Sequence, residues 1–185
     1  MRSSVVGAKR RKLWLLAASC LAPLSLGVSE PALAGCAPPP GNYGAPGVTA
    51  ICDSLPPNGN PYPGGINYNT DNGAGGFPID LTLLSGVQVV IPAGPGSVNA
   101  VNLANTGGVT AGAANLSITA DGVTIDNTAN SGTSNNTGLR IQSSGAAIIN
   151  ATNTTIDVAG IDSTWAILAF AQPNGTGTPH DVSVN

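Results

Sequence analysis

The sequence predicts an all-β protein whose repeating body is a parallel β-helix. Between Leu116 and Asp157, short runs of β-branched residues alternate with small polar residues, and Gly or Asn falls between the runs. This period of two places Leu116 and Ile118 on one face of a strand, and the three- and four-residue apolar spacing of a helix is not found there. Strands this short bury little apolar surface alone, so we expect them to stack on copies of themselves.

The composition is unusual for a globular domain. Only 8% of the 185 residues are charged and 4% are aromatic, whereas there are 25 Gly and 15 Pro; an ordinary domain has about 25% charged residues. Beyond residue 34 the chain has one basic residue, Arg140, and eight aspartates, which gives this part a net charge of −7. Because nucleic acids and anionic membranes are bound through cations, neither is expected as a partner.

Residues 1–34 have the three parts of a secretory signal peptide, which we expect to form a helix before the irregular segment. A basic N-terminal stretch precedes an apolar stretch that runs to about Val28, and Ala32-Leu33-Ala34 then supplies small residues. We therefore expect cleavage between Ala34 and Gly35. The apolar stretch is interrupted by Ser and Pro and is shorter than the ~20 residues of a membrane span, which disfavours an anchor. Because two arginines are adjacent in the basic stretch, export by the twin-arginine pathway remains an alternative to export by the general secretory (Sec) pathway.

Two cysteines, Cys36 and Cys52, follow the leader and predict a disulfide that closes a short loop. A bridge across a loop of this size stabilises a chain by about 3 kcal/mol. The alternative of a reduced Cys36 near the mature terminus remains open at this point. No regular element is expected between the two cysteines, and we predict that segment 35–78, rich in Pro and Gly, is irregular.

Residues 79–185 are predicted to form the repeats of the β-helix. Thr124-Ile125-Asp126 recurs 31 residues later as Thr155-Ile156-Asp157, a spacing that fits one coil plus a loop insertion. The competing architecture is an antiparallel sandwich, in which Asp121-Gly122 would be a hairpin turn. Strands are expected at Ile79–Leu84, Val87–Ile91, Ala100–Asn105, Leu116–Thr119, Val123–Asp126, Leu139–Gln142, Ala147–Asn150, Thr155–Val158, Ala166–Ala171 and Asp181–Val184.

Three features resemble the N-terminal passenger region of a Gram-negative autotransporter-like surface protein with a pectin-lyase-like β-helix. They are the leader that ends in Ala-Leu-Ala, the Pro/Gly-rich segment with two cysteines, and strands such as residues 117–127. The resemblance covers the whole chain and rests on the residue composition and the order of these segments. It implies a right-handed β-helix that a C-terminal outer-membrane translocator barrel carries to the cell surface. That barrel is not recognisable in this chain, so we expect a truncated fragment.

Few side chains are candidates for catalysis. His180, the only histidine, is expected to be a solvated loop residue rather than a member of a Ser-His-Asp triad. For Arg140, an outward ion pair with Asp126 or Asp157 is favoured over the base of a pectate-lyase-like site. The two aspartates occupy equivalent repeat positions; stacked carboxylates would suit a glycosidase, but turn formers are commoner there.

The sequence therefore favours an exported structural or adhesive module without catalytic activity. We predict no catalytic residue, no cofactor and no metal site, and we expect the module at the cell surface, at the outer membrane or outside the cell after passage through the periplasm. Host or environmental glycans or surface proteins are the expected partners. The alternative is a polysaccharide lyase or glycoside hydrolase on the same scaffold, with Arg140 and two or more aspartates in one groove.

Overall fold

A computed structural model describes residues 35–55, 60–70, 76–105, 114–171 and 180–185. All of them belong to one compact unit, and the predicted leader, with its cleavage bond after Ala34, lies outside them. Within these ranges the chain is all-β, and its one helical segment is the 3-10 turn Thr128–Asn130. No helix among the described residues combines the length and apolar character that crossing a membrane requires.

The strands of residues 79–185 lie where the alternating pattern predicted them, with ends shifted by at most two residues. Four further strands precede them. In chain order the strands are β1 (Cys36–Ala37), β2 (Gly41–Asn42), β3 (Val48–Cys52), β4 (Ile66–Asn69), β5 (Ile79–Leu83), β6 (Gln88–Val90), β7 (Asn99–Ala104), β8 (Leu116–Asp121), β9 (Thr124–Asn127), β10 (Thr137–Ser143), β11 (Ala147–Thr152), β12 (Thr155–Val158), β13 (Trp165–Ala171) and β14 (Val182–Val184).

The strands form three sheets. Sheet I has the order β1-β3-β5-β8-β11-β14, sheet II the order β13-β10-β7-β4-β2, and sheet III the order β12-β9-β6. Neighbouring strands run parallel, except for the antiparallel pair β1 and β3. From β5 to β13 the chain visits sheets I, III and II in the same order three times, which is consistent with a β-helix-like fold. The alternative of an antiparallel sandwich is therefore wrong.

Equivalent residues of successive turns lie side by side. Thr124-Ile125-Asp126 pairs in register with Thr155-Ile156-Asp157, which confirms the repeat read from the sequence. Asp121-Gly122 is not a hairpin turn, because β8 and β9, on either side of it, belong to different sheets. Gly122 has a φ of 64°, and a Cβ at this position would lie 2.7 Å from Ser85 Oγ. Both observations favour glycine at this corner.

The core consists of inward-facing aliphatic side chains that stack from one turn to the next. In sheet I, Leu81, Ile118 and Ile149 are neighbours in register, and each is at most 1% exposed. Full burial of such a side chain contributes about 1.5–3 kcal/mol. Ile156 and Ile167 are only partly buried, since β12 and β13 are the edge strands of their sheets among the described residues.

The expectation of an irregular segment at residues 35–78 is wrong for its strands. Val48 of β3 pairs with Ile79 of β5, and Ile66 of β4 pairs with Val101 of β7, so this segment contributes to the same parallel sheets. The prolines among the described residues of this segment lie between the strands, where they remove no hydrogen bond from a sheet. Tyr68 of β4 is fully buried in the core, and its hydroxyl donates to the carbonyl of Pro38.

A candidate binding groove on sheet II

An open groove of about 390 Å³ lies on the outward face of sheet II. The parallel register places Asn102 of β7, Arg140 of β10 and Leu168 of β13 in one row across the sheet. Three successive turns of the chain therefore build this groove together. Its lining residues are Ser97, Asn99, Asn135, Thr137, Arg140, Trp165, Leu168 and Phe170.

Arg140 is the cation of the groove. Its Nη1 donates to Oδ1 of Asn102 at 2.7 Å, and its Nη2 donates to Oε1 of Gln142. Asn102 in turn donates through Nδ2 to Oδ1 of Asn67 at 2.9 Å. These neutral amide oxygens hold the guanidinium in place but do not compensate its charge.

The expected ion pair of Arg140 is not found among the described residues. Asp126 and Asp157 lie on sheet III, whereas Arg140 lies on sheet II, and no described carboxylate contacts the guanidinium. Burial lowers the pKa of Arg140, as desolvation does when no anion offsets it. The groove thus contains a partly desolvated positive charge that no carboxylate of the described residues contacts.

The opposite side of the groove is apolar. Trp165 and Phe170, both from β13, keep 37% and 41% of their surface exposed, and the half-buried Leu168 lies between them in the strand. Amide and hydroxyl groups complete the lining, from residues such as Asn99 and Asn135. Apolar and aromatic surface with a few convergent polar groups is typical of ligand sites.

A buried asparagine positions the rim of the groove. Asn136 is fully buried, and its Nδ2 donates to the carbonyls of Ala159 at 2.7 Å and Asn130 at 2.8 Å. Its Oδ1 accepts the N–H of Val98 at 3.2 Å. Asn136 therefore joins residues from three successive turns and holds the neighbouring Asn135 at the groove, in the left-handed conformation (φ 59°) that Asn tolerates.

Of the stacked aspartates of sheet III, Asp126 has the bonds of a turn former and not the environment of a general acid. Asp126 and Asp157 are register partners on adjacent strands, as the repeat predicted. The carboxylate of Asp126 accepts the hydroxyl of Thr128 at 2.7 Å and its N–H at 2.9 Å. These bonds, that of the hydroxyl first, lower the pKa of Asp126, whereas the general acid of a glycosidase needs a raised pKa, so Asp126 does not suit that role. The bonds are those of a turn former.

The other predicted site residues lie apart from the groove or remain untested. Cys36 and Cys52 form a disulfide that joins β1 to β3 in sheet I. Nε2 of His180 is buried and has no hydrogen-bond partner among the described residues, so the expectation of a solvated histidine is wrong for this nitrogen. Among the described residues, no group of three or more His, Cys, Asp or Glu is placed to hold a metal ion. The bond between Ala34 and Gly35 includes a residue outside the described ranges.

Sequence reasoning did not identify Trp165, Phe170 or Asn136 as site residues. Trp165 begins a strand in which every neighbour is apolar, and that pattern alone does not separate a core residue from a groove residue. The signal available was the rarity of aromatic residues, 4% of the chain, together with two of them on one strand. Comparisons with protein-family models, with curated proteins and with solved structures found no match.

Proposed function

We propose that this chain is an exported, non-catalytic surface or secreted module that binds acidic saccharides in the groove on sheet II. We also infer that its three sheets wind as a right-handed parallel β-helix, as in the passenger regions that its leader and strands resemble. The repeated visiting order of the sheets supports this winding, because crossovers between parallel strands of one sheet are right-handed in nearly all proteins. The disulfide Cys36–Cys52 supports an oxidising destination outside the cytoplasm.

The observation that carries the proposal is the charge of Arg140, which has no carboxylate partner among the described residues and lines the groove together with exposed aromatic rings. A guanidinium has five N–H donors, and Asn102 and Gln142 accept one each, so donors remain for a carboxylate of a ligand. Charge-assisted bonds of this kind are strong and directional. The apolar face of a sugar ring packs on Trp165, and its hydroxyls pair with amides of the groove such as Asn99.

The test uses the processed chain, residues 35–185, and immobilised alginate as the acidic polysaccharide, with dextran as the neutral one. We expect binding to alginate that weakens with added salt. Arg140→Gln removes a charge-assisted bond of about 1.5–3 kcal/mol, so affinity should fall about tenfold or more. Trp165→Ala should also weaken binding. Ile51→Ala, an exposed position on sheet I, is the matched control and should bind as the parent does.

Equal binding to alginate and dextran, or full affinity of the Arg140→Gln variant, would contradict the proposal. The second candidate function is a polysaccharide lyase or hydrolase. The position of Arg140 in a groove favours it, whereas the two or more aspartates that it requires are not among the described lining residues. Incubation with the same polymer separates the two, because an enzyme shortens the polymer and a binding module leaves its length unchanged. Depolymerisation that persists in Arg140→Ala would exclude a catalytic Arg140.

The passenger assignment has a separate test in the gene. A passenger region is expected to share its reading frame with an outer-membrane translocator domain. Sequencing downstream of the codon for Asn185 should therefore find such a domain. A natural reading frame without one would contradict the autotransporter-like assignment and leave the binding proposal to the experiment with alginate.

A further inference from the structure

Gly35 and Asp53 are joined at the first strand of sheet I. The main-chain nitrogen of Gly35 donates to Oδ1 of Asp53 at 3.1 Å, and the N–H of Asp53 donates back to the carbonyl of Gly35 at 3.0 Å. Gly35 is buried, and the adjacent residues Cys36 and Cys52 carry the disulfide. The disulfide therefore fixes the chain next to both residues of this contact.

We propose that removal of the leader creates an internal ion pair between the α-ammonium of Gly35 and the carboxylate of Asp53, and that this pair fastens the start of the mature chain to sheet I. The inference rests on the export part of the proposed function. Hydrolysis of the bond between Ala34 and Gly35 by a leader peptidase consumes one water, and leaves a carboxylate on Ala34 and an ammonium on Gly35. The new charge then lies where the peptide nitrogen already contacts Asp53.

The environment of Asp53 favours a cation at this position. Among the described residues, the hydrogen-bond donors to its carboxylate are the N–H groups of Gly35 and Leu55, at 3.1 and 3.2 Å, and neither is charged. The hydroxyl of Tyr62 donates to the main-chain carbonyl of Asp53 at 2.7 Å. Burial first, and the negative charge of Asp53 second, raise the pKa of Tyr62 to about 12. An ammonium at Gly35 would supply the missing positive charge.

The sequence allows a direct chemical test of this pair. Both lysines, Lys9 and Lys12, belong to the leader, so the α-amine of Gly35 is the only primary amine of the processed chain. An amine-reactive acetylating reagent therefore labels one position, which intact-mass spectrometry counts. Only the neutral amine reacts, and an ion pair that raises the pKa of an amine by one unit lowers its neutral fraction about tenfold.

The experiment compares the folded processed chain with its Asp53→Asn and Asp157→Asn variants at one pH near neutrality. We expect acetylation of the parent and of Asp157→Asn to be about tenfold slower than that of Asp53→Asn. Asp157 is exposed on sheet III, so its substitution matches the change in net charge. In urea all three chains should react at one rate. Equal rates for folded parent and Asp53→Asn would overturn the proposal.

A second measurement covers the case in which Asp53→Asn perturbs the fold. The urea midpoint is measured for the leader-bearing chain and for the processed chain, each with and without Asp53→Asn. An Asn oxygen still accepts the peptide N–H of the leader-bearing chain, so the substitution should lower the midpoint more in the processed chain. Equal decreases would overturn the ion pair. N-terminal sequencing of the exported protein tests export separately, because the labelling experiment uses a chain made to begin at Gly35.

Discussion

Asn136 is the side chain whose removal should cost the most stability among the polar residues near the groove. Asn136→Ala leaves the N–H of Val98 and the carbonyl of Ala159 without their side-chain partner, while the carbonyl of Asn130 keeps its bonds from Thr133. Each unsatisfied buried group costs about 1–3 kcal/mol. Because both bonds are only part-buried, water can satisfy part of the lost hydrogen bonding. We therefore expect Asn136→Ala to lower the free energy of unfolding by about 2–4 kcal/mol.

The assay is urea denaturation of the processed chain, with the free energy of unfolding taken by linear extrapolation. Asn150→Ala is the matched control. Its side chain lies on the surface of β11 and accepts one exposed hydrogen bond from Asn185 at 3.0 Å, so its loss should stay within about 0.5 kcal/mol. If the two variants lost equal free energy, the structural role assigned to the Asn136 network would be wrong.

Three further predictions concern the corners, the core and the acid limit of stability. Gly122→Ala places a Cβ against Ser85 at a φ of 64° and should lower the free energy of unfolding by about 1–2 kcal/mol. Gly132→Ala is the control, because open space surrounds Gly132, and it should not lower this free energy. Thermal unfolding tests the difference, and equal melting temperatures of the two variants would contradict it. Ile125→Ala removes a fully buried side chain of β9 and should lower the free energy of unfolding by about 2–5 kcal/mol. Ile51 is 50% exposed, so Ile51→Ala should lower it by less than about 1 kcal/mol. Urea denaturation measures both, and similar losses would contradict the assigned inward and outward faces. The lowered pKa of Asp126 means that its contribution to stability is present above the ordinary carboxyl pKa and is lost as pH falls through the lower folded value. The acid part of the stability profile should therefore be shallower in Asp126→Asn, and an unchanged profile would speak against the bonds from Thr128.

The strands of the body were predictable because their signal is local. Alternation of apolar and polar residues depends only on the geometry of a single strand, so β12 was predicted with both of its ends, Thr155 and Val158. The register of β9 and β12 was also accessible, since the same three residues recur in both. Strands β1 to β4 were not predicted, because the prolines and glycines between them indicated an irregular segment. One of these strands, Val48–Cys52, nevertheless has a regular alternation of buried and exposed residues.

The groove could not be predicted in this way. It depends on which residues of different turns become neighbours, and loops of unequal length separate those turns. Val101 pairs with Leu139, 38 residues later, whereas Leu139 pairs with Ile167 only 28 residues later. No fixed period in the sequence therefore brings Trp165 beside Thr137 and Arg140.

The sequence by itself determined the all-β class, the strands of the body, the cysteine pair and the near absence of cations beyond residue 34, because each follows from local pattern or from composition. Only the tertiary structure decided that Arg140 and the aspartates Asp126 and Asp157 lie on different sheets. The corner between two strands sets the sheet to which each strand belongs, and corners depend on packing against the neighbouring turns. That separation leaves the guanidinium without a carboxylate partner among the described residues, and this is the basis of our proposal that the groove on sheet II binds an acidic ligand.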